Sequence, residues 1–487
     1  MPSVNDTAYR RLKSNPSAKE LNEAYTPSIF ELVYAEERTR GAVPRLGFLL
    51  LLKTFQRLGY FVAVKEIPPL VVKHVAECAG HSDIPSGLFE YDESSARWRH
   101  IDLIREFLGV HAWGENGERL MAEACRQAAK SKDDLADIIN VAIEELVRQR
   151  FELPGFSTLL RAAQHARAEV NKTYHKQVAE RLGAEAKYQL QKLLTPPAYE
   201  TQSQWDRVKI EPKQPTSQTT GDFLDHLQWL RGLAIPSNIF ADIPDVKIKQ
   251  FSAEARSLDL ASMNDLVEPK RFALATALVV TQIARALDDV GDMYKRMVEK
   301  LHNHAYDALI QHQSDQVERT DSLVGTLRDV TKAYKTEGDA DEILAQCEAH
   351  NATAGHNYLP FLTRFYSHQR SVLFQFLETV ELVSTSPDKS LTEAIAFILK
   401  NKADRHEWLP VLREETKEDG TKERVAVVDL SFVSDKWWPL VAGQKNTRAT
   451  TVDRVDRRFF ELCVITEVMR DLKSCDLCIP GSDQYSD

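Results

Sequence analysis

Apolar residues recur along most of the chain at positions i, i+3, i+4 and i+7, which is the spacing of one face of an α-helix. Alternation of apolar and polar residues, the pattern of a half-buried strand, is confined to short stretches such as residues 424–430. The pattern therefore predicts a mainly α, multidomain helical protein with a small mixed α/β segment near its C-terminal end.

Helix-ending residues divide the beginning of the chain into three short helices. A proline in the first turn and a glycine after the last residue are typical of helix boundaries. On these signals we predict helices from Thr26-Pro27 to just before Gly41, from about Pro44 to Leu58, and from Pro69 to Ala79. Together they predict a compact first helical domain over residues 1–112.

A helix-turn-helix is the clearest supersecondary pattern in the chain. An apolar stripe predicts a first helix, residues 152–156 interrupt it, and Ser157 is expected to cap a second helix. One face of that second helix carries a polar, partly basic stripe, made of Arg161, Gln164, His165, Ala168 and Lys172. A DNA recognition helix has this pattern, but so does any solvated helix, and the pattern alone leaves both interpretations open. We assign this motif to a second domain over residues 113–213.

Residues 195–221 are rich in proline, glutamine, threonine and serine, and we predict a linker or domain edge there. Beyond it we predict a helical domain over residues 214–383 and a final segment over residues 384–487. The helical pattern covers residues 222–233, 270–313, 323–335, 358–383 and 457–473, and a charged loop is expected at residues 413–424.

The charge is unevenly distributed along the chain. The 62 Lys and Arg residues against 72 Asp and Glu residues give a net charge of −10. Residues 1–213 carry 30 basic and 29 acidic side chains, so the acidic surplus lies in residues 214–487. This balance argues against a chain coated in positive charge, but it is compatible with a local basic face in the first half. We expect the acidic half to face protein partners.

Cysteine usage and hydropathy indicate the cellular compartment. Six scattered cysteines and a polar beginning without a secretory signal predict reduced thiols and a cytoplasmic protein. The most apolar uncharged stretches, residues 46–52 and 272–284, fall short of the roughly 20 apolar residues that a membrane helix needs. No membrane anchor is expected.

Three carboxylates, Asp288, Asp289 and Asp292, form a DDxxD pattern on a predicted helix. At this spacing they share one face and are able to hold magnesium on a diphosphate. A second acidic cluster or basic residues for the diphosphate would be needed, and the sequence offers no convincing partner motif. A helical magnesium and diphosphate enzyme is therefore the alternative function, set against a solvated helix face.

Other combinations of metal-binding residue types do not have the spacing of known sites. His302 and His304 point to different sides of a helix and are expected at the surface. Cys347, His350, His356 and His368 match no recurrent zinc pattern. Cys475 and Cys478 form a lone CxxC, which we interpret as two ordinary thiols. No metal site is predicted.

Five blocks of the sequence, in the same order, resemble the N-terminal half of transposases of the Tn3 family, which move replicative, cointegrate-forming transposons. The first block comprises Arg38-Thr39-Arg40-Gly41, Pro44-Arg45-Leu46-Gly47-Phe48 and Gln56-Arg57-Leu58-Gly59-Tyr60-Phe61, with Pro44 where the family has asparagine. The second runs from Ile67-Pro68 to Val75-Ala76 and from Tyr91 to Arg105. Its basic core departs from the family pattern at Ala96, Trp98 and Arg99.

The remaining blocks extend the resemblance over nearly the whole chain. The third covers the predicted helix-turn-helix, from Leu153-Pro154 to Arg161, and includes Arg167. The fourth is Ala286-Leu287-Asp288-Asp289, which favours a structural role for the DDxxD pattern. The fifth comprises residues 457–463, Asp471-Leu472, Pro480-Gly481-Ser482, Tyr485 and Asp487.

The resemblance implies a multidomain helical region that binds double-stranded DNA at the terminal inverted repeats of a transposon. It also implies that the full-length protein pairs as a homodimer. In the family, strands are cut and joined by an RNase H-like domain whose Asp-Asp-Glu triad binds magnesium. That domain lies beyond the position of Asp487, so residues 384–487 are expected to be a linker or scaffold segment, and we expect neither a catalytic residue nor a cofactor in this chain.

Arginine is the first candidate for DNA contact because its forked donors match phosphates and guanine edges. The residues that we predict to bind DNA are Arg38, Arg40, Arg45, Arg57, Arg97, Arg99, His100 and Arg105 in the first domain, and Ser157, Thr158, Arg161, Gln164, Arg167 and Lys172 in the second. A helical scaffold that binds only proteins is the second alternative to this function.

Overall fold

A computed structural model describes residues 2–196, 203–333, 358–416, 422–443 and 452–486. These residues form a mainly helical protein with three small pairs of strands, which confirms the predicted fold class. None of the described helices combines the length and the apolar character that a bilayer crossing requires.

The helices of the first half are α1 (Ala18–Ala24), α2 (Ile29–Arg38), α3 (Ala42–Leu58), α4 (Pro69–Cys78), α5 (Ser95–Leu108), α6 (Glu115–Ser131), α7 (Leu135–Arg148), α8 (Phe156–Arg181), α9 (Ala184–Leu193), α10 (Gln204–Val208), α11 (Ser217–Arg231), α12 (Asp245–Ser257) and α13 (Leu260–Asp265). The second half contains α14 (Glu268–Ala333), α15 (Leu362–Thr379), α16 (Ser390–Lys400), α17 (Trp438–Val441) and α18 (Arg457–Ser474). Its strands are β1 (Val383–Ser384), β2 (Trp408–Pro410), β3 (Leu412–Thr416), β4 (Lys422–Ala426), β5 (Arg454–Asp456) and β6 (Leu477–Cys478).

The chain forms two compact units. Unit 1 comprises Met1–Gly183 and Pro236–Ala277, and unit 2 comprises Ala184–Ile235 and Leu278–Asp487. Each unit is therefore built from two separate stretches of the chain. The division into the consecutive domains 1–112, 113–213, 214–383 and 384–487 stays a prediction.

The first helices of unit 1 pack around α3, which is buried almost all round from Leu46 to Phe55. Helix α2 begins at Ser28, whose hydroxyl and the Glu31 carboxylate cap the helix reciprocally. Helix α3 ends at Gly59, which adopts the left-handed conformation that glycine favours. The three predicted helices are confirmed as α2, α3 and α4, but the predicted start of the first one at Thr26-Pro27 is wrong, because Ser28 is the cap and Pro27 lies before it.

Close packing explains one glycine of the PRLG motif. The ring of Tyr91 lies against Gly47 on α3, and a Cβ atom at this position would lie 2.6 Å from a ring carbon of Tyr91. A side chain at Gly47 would therefore displace the tyrosine from the core. At Gly47, the resemblance in the first block is therefore explained by the packing of the helices.

Helices α6, α7 and α8 form the second core of unit 1, and α7 and α8 are the predicted helix-turn-helix. The turn between them is fixed by backbone hydrogen bonds, including one from Leu153 N to Gly59 O of 2.8 Å. The predicted cap at Ser157 is wrong: α8 begins two residues earlier than predicted, after Gly155, and Ser157 lies within its first turn. No side chain caps this helix.

In unit 2, helix α14 packs beside α15 and α18, with Tyr294 stacked on Phe376 at a ring distance of 4.1 Å. The two helices predicted at residues 270–313 and 323–335 are one helix, and the predicted helix at 358–383 is shorter. The charged loop at residues 413–424 was wrongly predicted, since β3 and β4 pair there as an antiparallel hairpin.

The predicted linker at residues 195–221 is partly folded, because α10 lies in it and buries Trp205 completely. Three antiparallel strand pairs, β1 with β6, β2 with β5 and β3 with β4, form the mixed segment near the C-terminal end. Together with α16, α17 and α18 they confirm the prediction of a small mixed α/β segment there.

Candidate nucleic-acid interface

Helix α8 of unit 1 exposes the polar stripe that the sequence places on it. Arg161, His165 and Lys172 are exposed, while Leu159 and Ala163 on the other side are completely buried. Ser157 is exposed, and Thr158 and Gln164 are half-exposed. Neither Arg161 nor Lys172 has a carboxylate partner among the described residues, so both charges face solvent and are available to an anionic ligand.

Arg167 lies on the same helix, but its side chain contacts Asp133 within unit 1. Its guanidinium donates a hydrogen bond of 3.2 Å to the backbone oxygen of Asp133. Lys247 on α12 is completely buried, and its Nζ lies 2.7 Å from Asp133 Oδ1 and 3.0 Å from Asn171 Oδ1. Burial lowers the pKa of Lys247, whereas the hydrogen bond that its ammonium donates to Asp133 opposes this effect. This network fixes α8 against α12.

The candidates around the turn between α2 and α3 differ in exposure. Arg38 and Arg40 are exposed, and the Arg38 guanidinium lies 5.4 Å from the centre of the Tyr34 ring. Arg45 is half-buried and forms an ion pair of 3.2 Å with Glu36. Arg38 and Arg40 are therefore the candidates in this region that offer free donors.

The cluster on α5 is mostly committed to contacts within the protein. The Arg97 side chain is 12% exposed and pairs with Asp92 at 3.4 Å. Arg105 pairs with Asp102 at 2.9 Å and with Glu152 at 2.8 Å. Arg99 remains exposed, beside the exposed indole of Trp98.

His100 does not belong to the candidate surface. It is buried in the core of the first helices, and its Nδ1 lies 2.7 Å from the Tyr91 hydroxyl. Burial, with a smaller contribution from Arg99, lowers the pKa of His100, so the imidazole is neutral near pH 7. In the second block of the resemblance, His100 therefore contributes to core packing and to an internal hydrogen bond.

A cleft of about 520 Å³ in unit 1 contains basic residues that the sequence reading did not select. Arg10, Arg11 and Lys13 line it together with Arg57, the remaining candidate of the first domain. The cluster RRLK at residues 10–13 is the sequence signal that marks this cleft, but it has no helical periodicity and carries no motif.

The DDxxD residues bind the C-terminal segment of unit 2. Asp288 accepts hydrogen bonds from the Ser482 hydroxyl and from the Gln484 backbone N–H, the latter at 2.9 Å. Asp292 accepts one of 2.5 Å from the Tyr485 hydroxyl. Burial, and then the two neighbouring carboxylates, raise the pKa of Asp289. Two of the three carboxylates are thus engaged with the protein itself, and this motif is a structural contact.

No three His, Cys, Asp or Glu side chains among the described residues converge as a metal site would require. The expectation that His302 lies at the surface is wrong, because the residue is half-buried and its ring nitrogens lie 3.2 Å from the Tyr358 hydroxyl and 3.0 Å from Thr466 Oγ1. Cys347, His350 and His356 lie outside the described residues, and His368 is exposed. Cys475 and Cys478 are free thiols, the first exposed and the second buried.

Comparison with known proteins gives a consistent set of similarities. Residues 3–166, which contain the first helices and the beginning of α8, match a family model described as a domain of unknown function, DUF4158. The chain is 22% identical over 490 residues to the transposase for transposon Tn501 of Pseudomonas aeruginosa, which covers 97% of this chain and 47% of the relative.

Two further relatives agree with this similarity. The transposase for transposon Tn21 of Escherichia coli is 22% identical over 494 residues, covering 97% of this chain and 47% of the relative. The transposase for transposon Tn1546 of Enterococcus faecium is 21% identical over 464 residues, covering 91% and 45%. The chain therefore spans about half the length of the curated relatives that it matches.

Proposed function

We propose that the chain is a member of the Tn3 family of transposases, since it is 22% identical over nearly its whole length to two transposases. We further propose that unit 1 binds the terminal inverted repeats of a transposon in a sequence-specific manner. The observation that carries the proposal is the exposed stripe of α8, with Arg161 and Lys172 directed to solvent. Because α8 is the second helix of a helix-turn-helix, this stripe lies where such motifs present side chains to the major groove.

The chemistry of the stripe suits this role. A guanidinium such as that of Arg161 donates two parallel hydrogen bonds to the edge of a guanine, and an ammonium such as that of Lys172 neutralises a phosphate. Ser157, Thr158 and Gln164 add donors and acceptors near the beginning of the helix. Arg38, Arg40 and Arg99 supply further exposed guanidinium groups on the first helices of the same unit.

The network around Asp133 supports recognition indirectly. Base readout requires a helix that is held in one orientation, and Lys247, Asp133, Asn171 and Arg167 hold α8 against α12. Arg167 is in this proposal a positioning residue rather than one that reads bases. Its guanidinium already donates a hydrogen bond to the backbone oxygen of Asp133 and lies 3.8 Å from the Asp133 carboxylate, and moving it to DNA would remove both contacts.

The wider transposase function is part of the same proposal. Strand cutting and joining, with the magnesium that they need, would belong to the part of the relatives' length that this chain does not span. The acidic residues of 214–487 would face protein partners, including a second copy of the chain in a homodimer. The observed contacts of Asp288 and Asp292 give the diphosphate-enzyme alternative no support.

The proposal is tested by removing the two exposed cations of the stripe. A duplex recovered from a random-sequence library by its affinity for the chain serves as the specific ligand, and a scrambled duplex serves as the reference. We expect the double variant Arg161→Ala, Lys172→Ala to lower the ratio of specific to scrambled affinity by about 10-fold or more, since a lost base contact costs about 1–3 kcal/mol.

The matched control removes one exposed arginine and one exposed lysine from unit 2, in the variant Arg319→Ala, Lys400→Ala. This variant has the same net charge as the test variant, and we expect it to keep the affinity ratio of the unmodified chain. If the two variants changed the ratio equally, recognition by α8 would be contradicted. The recovered sequence should also match the ends of the transposon that carries this gene.

A further inference from the structure

The basic cleft of unit 1 is built by two parts of the chain. Residues 8–16 have no regular secondary structure and contribute Arg10, Arg11 and Lys13, while α3 contributes Lys53 and Arg57. Glu20 and Glu23 are the acidic residues of the lining. Five cationic side chains thus surround this space with two anionic ones.

Residues 8–16 are held in place from both sides. Tyr9 is buried, stacks on Tyr60 at a ring distance of 4.9 Å, and donates a hydrogen bond of 3.1 Å to the backbone oxygen of Pro154. Tyr60 in turn donates a hydrogen bond of 2.9 Å to the backbone oxygen of Arg10. These contacts fix the backbone at Arg10, and its guanidinium donates one long hydrogen bond of 3.5 Å to the backbone oxygen of Arg57, which keeps it at the cleft.

The position of Tyr9 connects the cleft with the helix-turn-helix. Its ring lies 5.7 Å from that of Phe156, the first residue of α8, and its hydroxyl binds the turn that precedes this helix. Arg10 therefore follows directly on a residue that touches the beginning of the proposed recognition helix.

The cations of the cleft are not equally available. Lys13 pairs with Glu20, and Lys53 pairs with Glu31 at 3.3 Å. Arg10, Arg11 and Arg57 have no carboxylate partner among the described residues. Three guanidinium groups beside one cavity repel each other, and an anion bound between them relieves that repulsion.

We propose that this cleft binds phosphate groups of the DNA backbone, with Arg10 and Arg11 as the contacting residues and Arg57 behind them. This inference rests on the proposed function, because the cleft is linked to α8 through Tyr9, which precedes Arg10 and contacts Phe156. Phosphate contacts carry no sequence information, but they fix the register and orientation of a protein on a duplex. The cleft is thus the positioning contact that accompanies base recognition by α8.

The test compares Arg10→Ala, Arg11→Ala with the charge-preserving Arg10→Lys, Arg11→Lys in the full chain. Affinity for the recovered duplex and for the scrambled duplex is measured by fluorescence anisotropy over a salt series. Each neutralised phosphate contributes about 0.9 to the slope of log affinity against log salt concentration. We expect the alanine variant to lose about 1.8 of this slope, the lysine variant to keep most of it, and the affinity ratio of the two duplexes to be unchanged in both.

An unchanged slope in the alanine variant would overturn the inference while leaving specific recognition intact. A slope that falls together with the affinity ratio would also overturn it, since the two arginines would then read bases or hold the fold. Binding of inorganic phosphate by the unmodified chain, without any change of the DNA slope in the alanine variant, would assign the cleft to free phosphate instead. A ratio of one in the unmodified chain would contradict the proposed function itself.

Discussion

Arginine residues with the same appearance in the sequence have different roles in unit 1. Arg97, Arg105 and Arg167 lie within reach of carboxylates or buried carbonyl groups and are held there. Arg99 and Arg161 face solvent. A guanidinium that satisfies a partly buried carboxylate leaves it only at the cost of an unpaired charge, so such residues stabilise the fold rather than bind DNA.

Histidine residues of the chain include several that are buried and neutral. Burial, with a smaller contribution from Lys270, lowers the pKa of His175 to about 4. Its ring packs at a tilt against that of Phe251, with the ring centres 4.7 Å apart, and its buried Nε2 has no hydrogen-bond partner among the described residues. The folded state therefore disfavours the protonated ring, and the unfolded chain takes up this proton first as the pH falls.

This difference predicts acid destabilisation of unit 1. Because the folded pKa of about 4 lies below the ordinary value of 6.5, the stability present above pH 6.5 is lost as the pH falls toward 4. We expect the substitution His175→Phe, which keeps an aromatic ring against Phe251, to reduce this loss of stability by about 1.4 kcal/mol for each pH unit. The measurement is the urea midpoint at about pH 7 and about pH 5.

The exposed His165 on the same helix gives the matched control, His165→Gln. This control should keep the full acid dependence of the unmodified chain. His226 and His302, whose pKa values are also lowered to about 4 by burial, continue to contribute in both variants. If His175→Phe retained the full dependence, His175 would not be neutral in the folded protein.

At the scale of secondary-structure elements, the sequence predicts most of the features that depend on residues close together in the chain. The beginnings and ends of α2, α3 and α4 follow from caps, prolines and glycines within a few residues of each boundary. The alternation at residues 424–430 overlaps β4, but its pairing with β3 was missed because the charged residues of 413–424 favoured a loop. Contacts between distant parts of the chain, such as Asp292 with Tyr485, have no local pattern at all.

In the candidate interface, too, the sequence predicts features set by nearby residues but not contacts between distant parts of the chain. The periodicity of α8 predicts which of its residues face solvent, and the structure agrees for Arg161 and Lys172. Partners that come from elsewhere in the chain, such as Asp133 for Arg167 and Tyr91 for His100, could not be predicted. The cleft at Arg10 was missed for the same reason, since Arg57 joins it from a different element.

The contacts of the DDxxD residues predict that substituting two of them changes the stability of unit 2 in opposite directions. Asp292→Asn removes a charged acceptor from the Tyr485 hydroxyl and from Lys295, so we expect unit 2 to lose about 1.5 kcal/mol or more of stability. Asp289→Asn removes a carboxylate whose pKa is raised by burial and by its neighbours, so a small gain in stability at pH 7 is expected.

Thermal unfolding of the two variants, together with amide hydrogen exchange of residues 479–486, checks this prediction. Faster exchange at Tyr485 should accompany the loss of stability in Asp292→Asn and be absent in Asp289→Asn. Equal effects of the two substitutions would show that Asp292 is not a specific contact of the C-terminal segment.

At the scale of the whole molecule, the uneven distribution of charge along the chain agrees with separate roles in DNA binding and in protein assembly. The nearly balanced residues 1–213 contain the exposed arginines of α8 and of the basic cleft, while the acidic surplus lies in residues 214–487. The overall charge of −10 therefore does not oppose a local contact with DNA, because screening limits the effect of distant charges to roughly 10 Å at 0.1 M salt. Unit 1 in our account binds the DNA, and unit 2 supports assembly.

The most direct test of this account is the ratio of the dissociation constants of the chain for a duplex carrying the transposon end and for a scrambled duplex of the same composition, measured at about 150 mM salt. The account predicts a preference of about 1000-fold or more for the transposon end, the lower limit of specific protein–DNA recognition. Equal and weak binding of both duplexes would contradict it, and would leave a helical scaffold that binds only proteins as the better description of this chain.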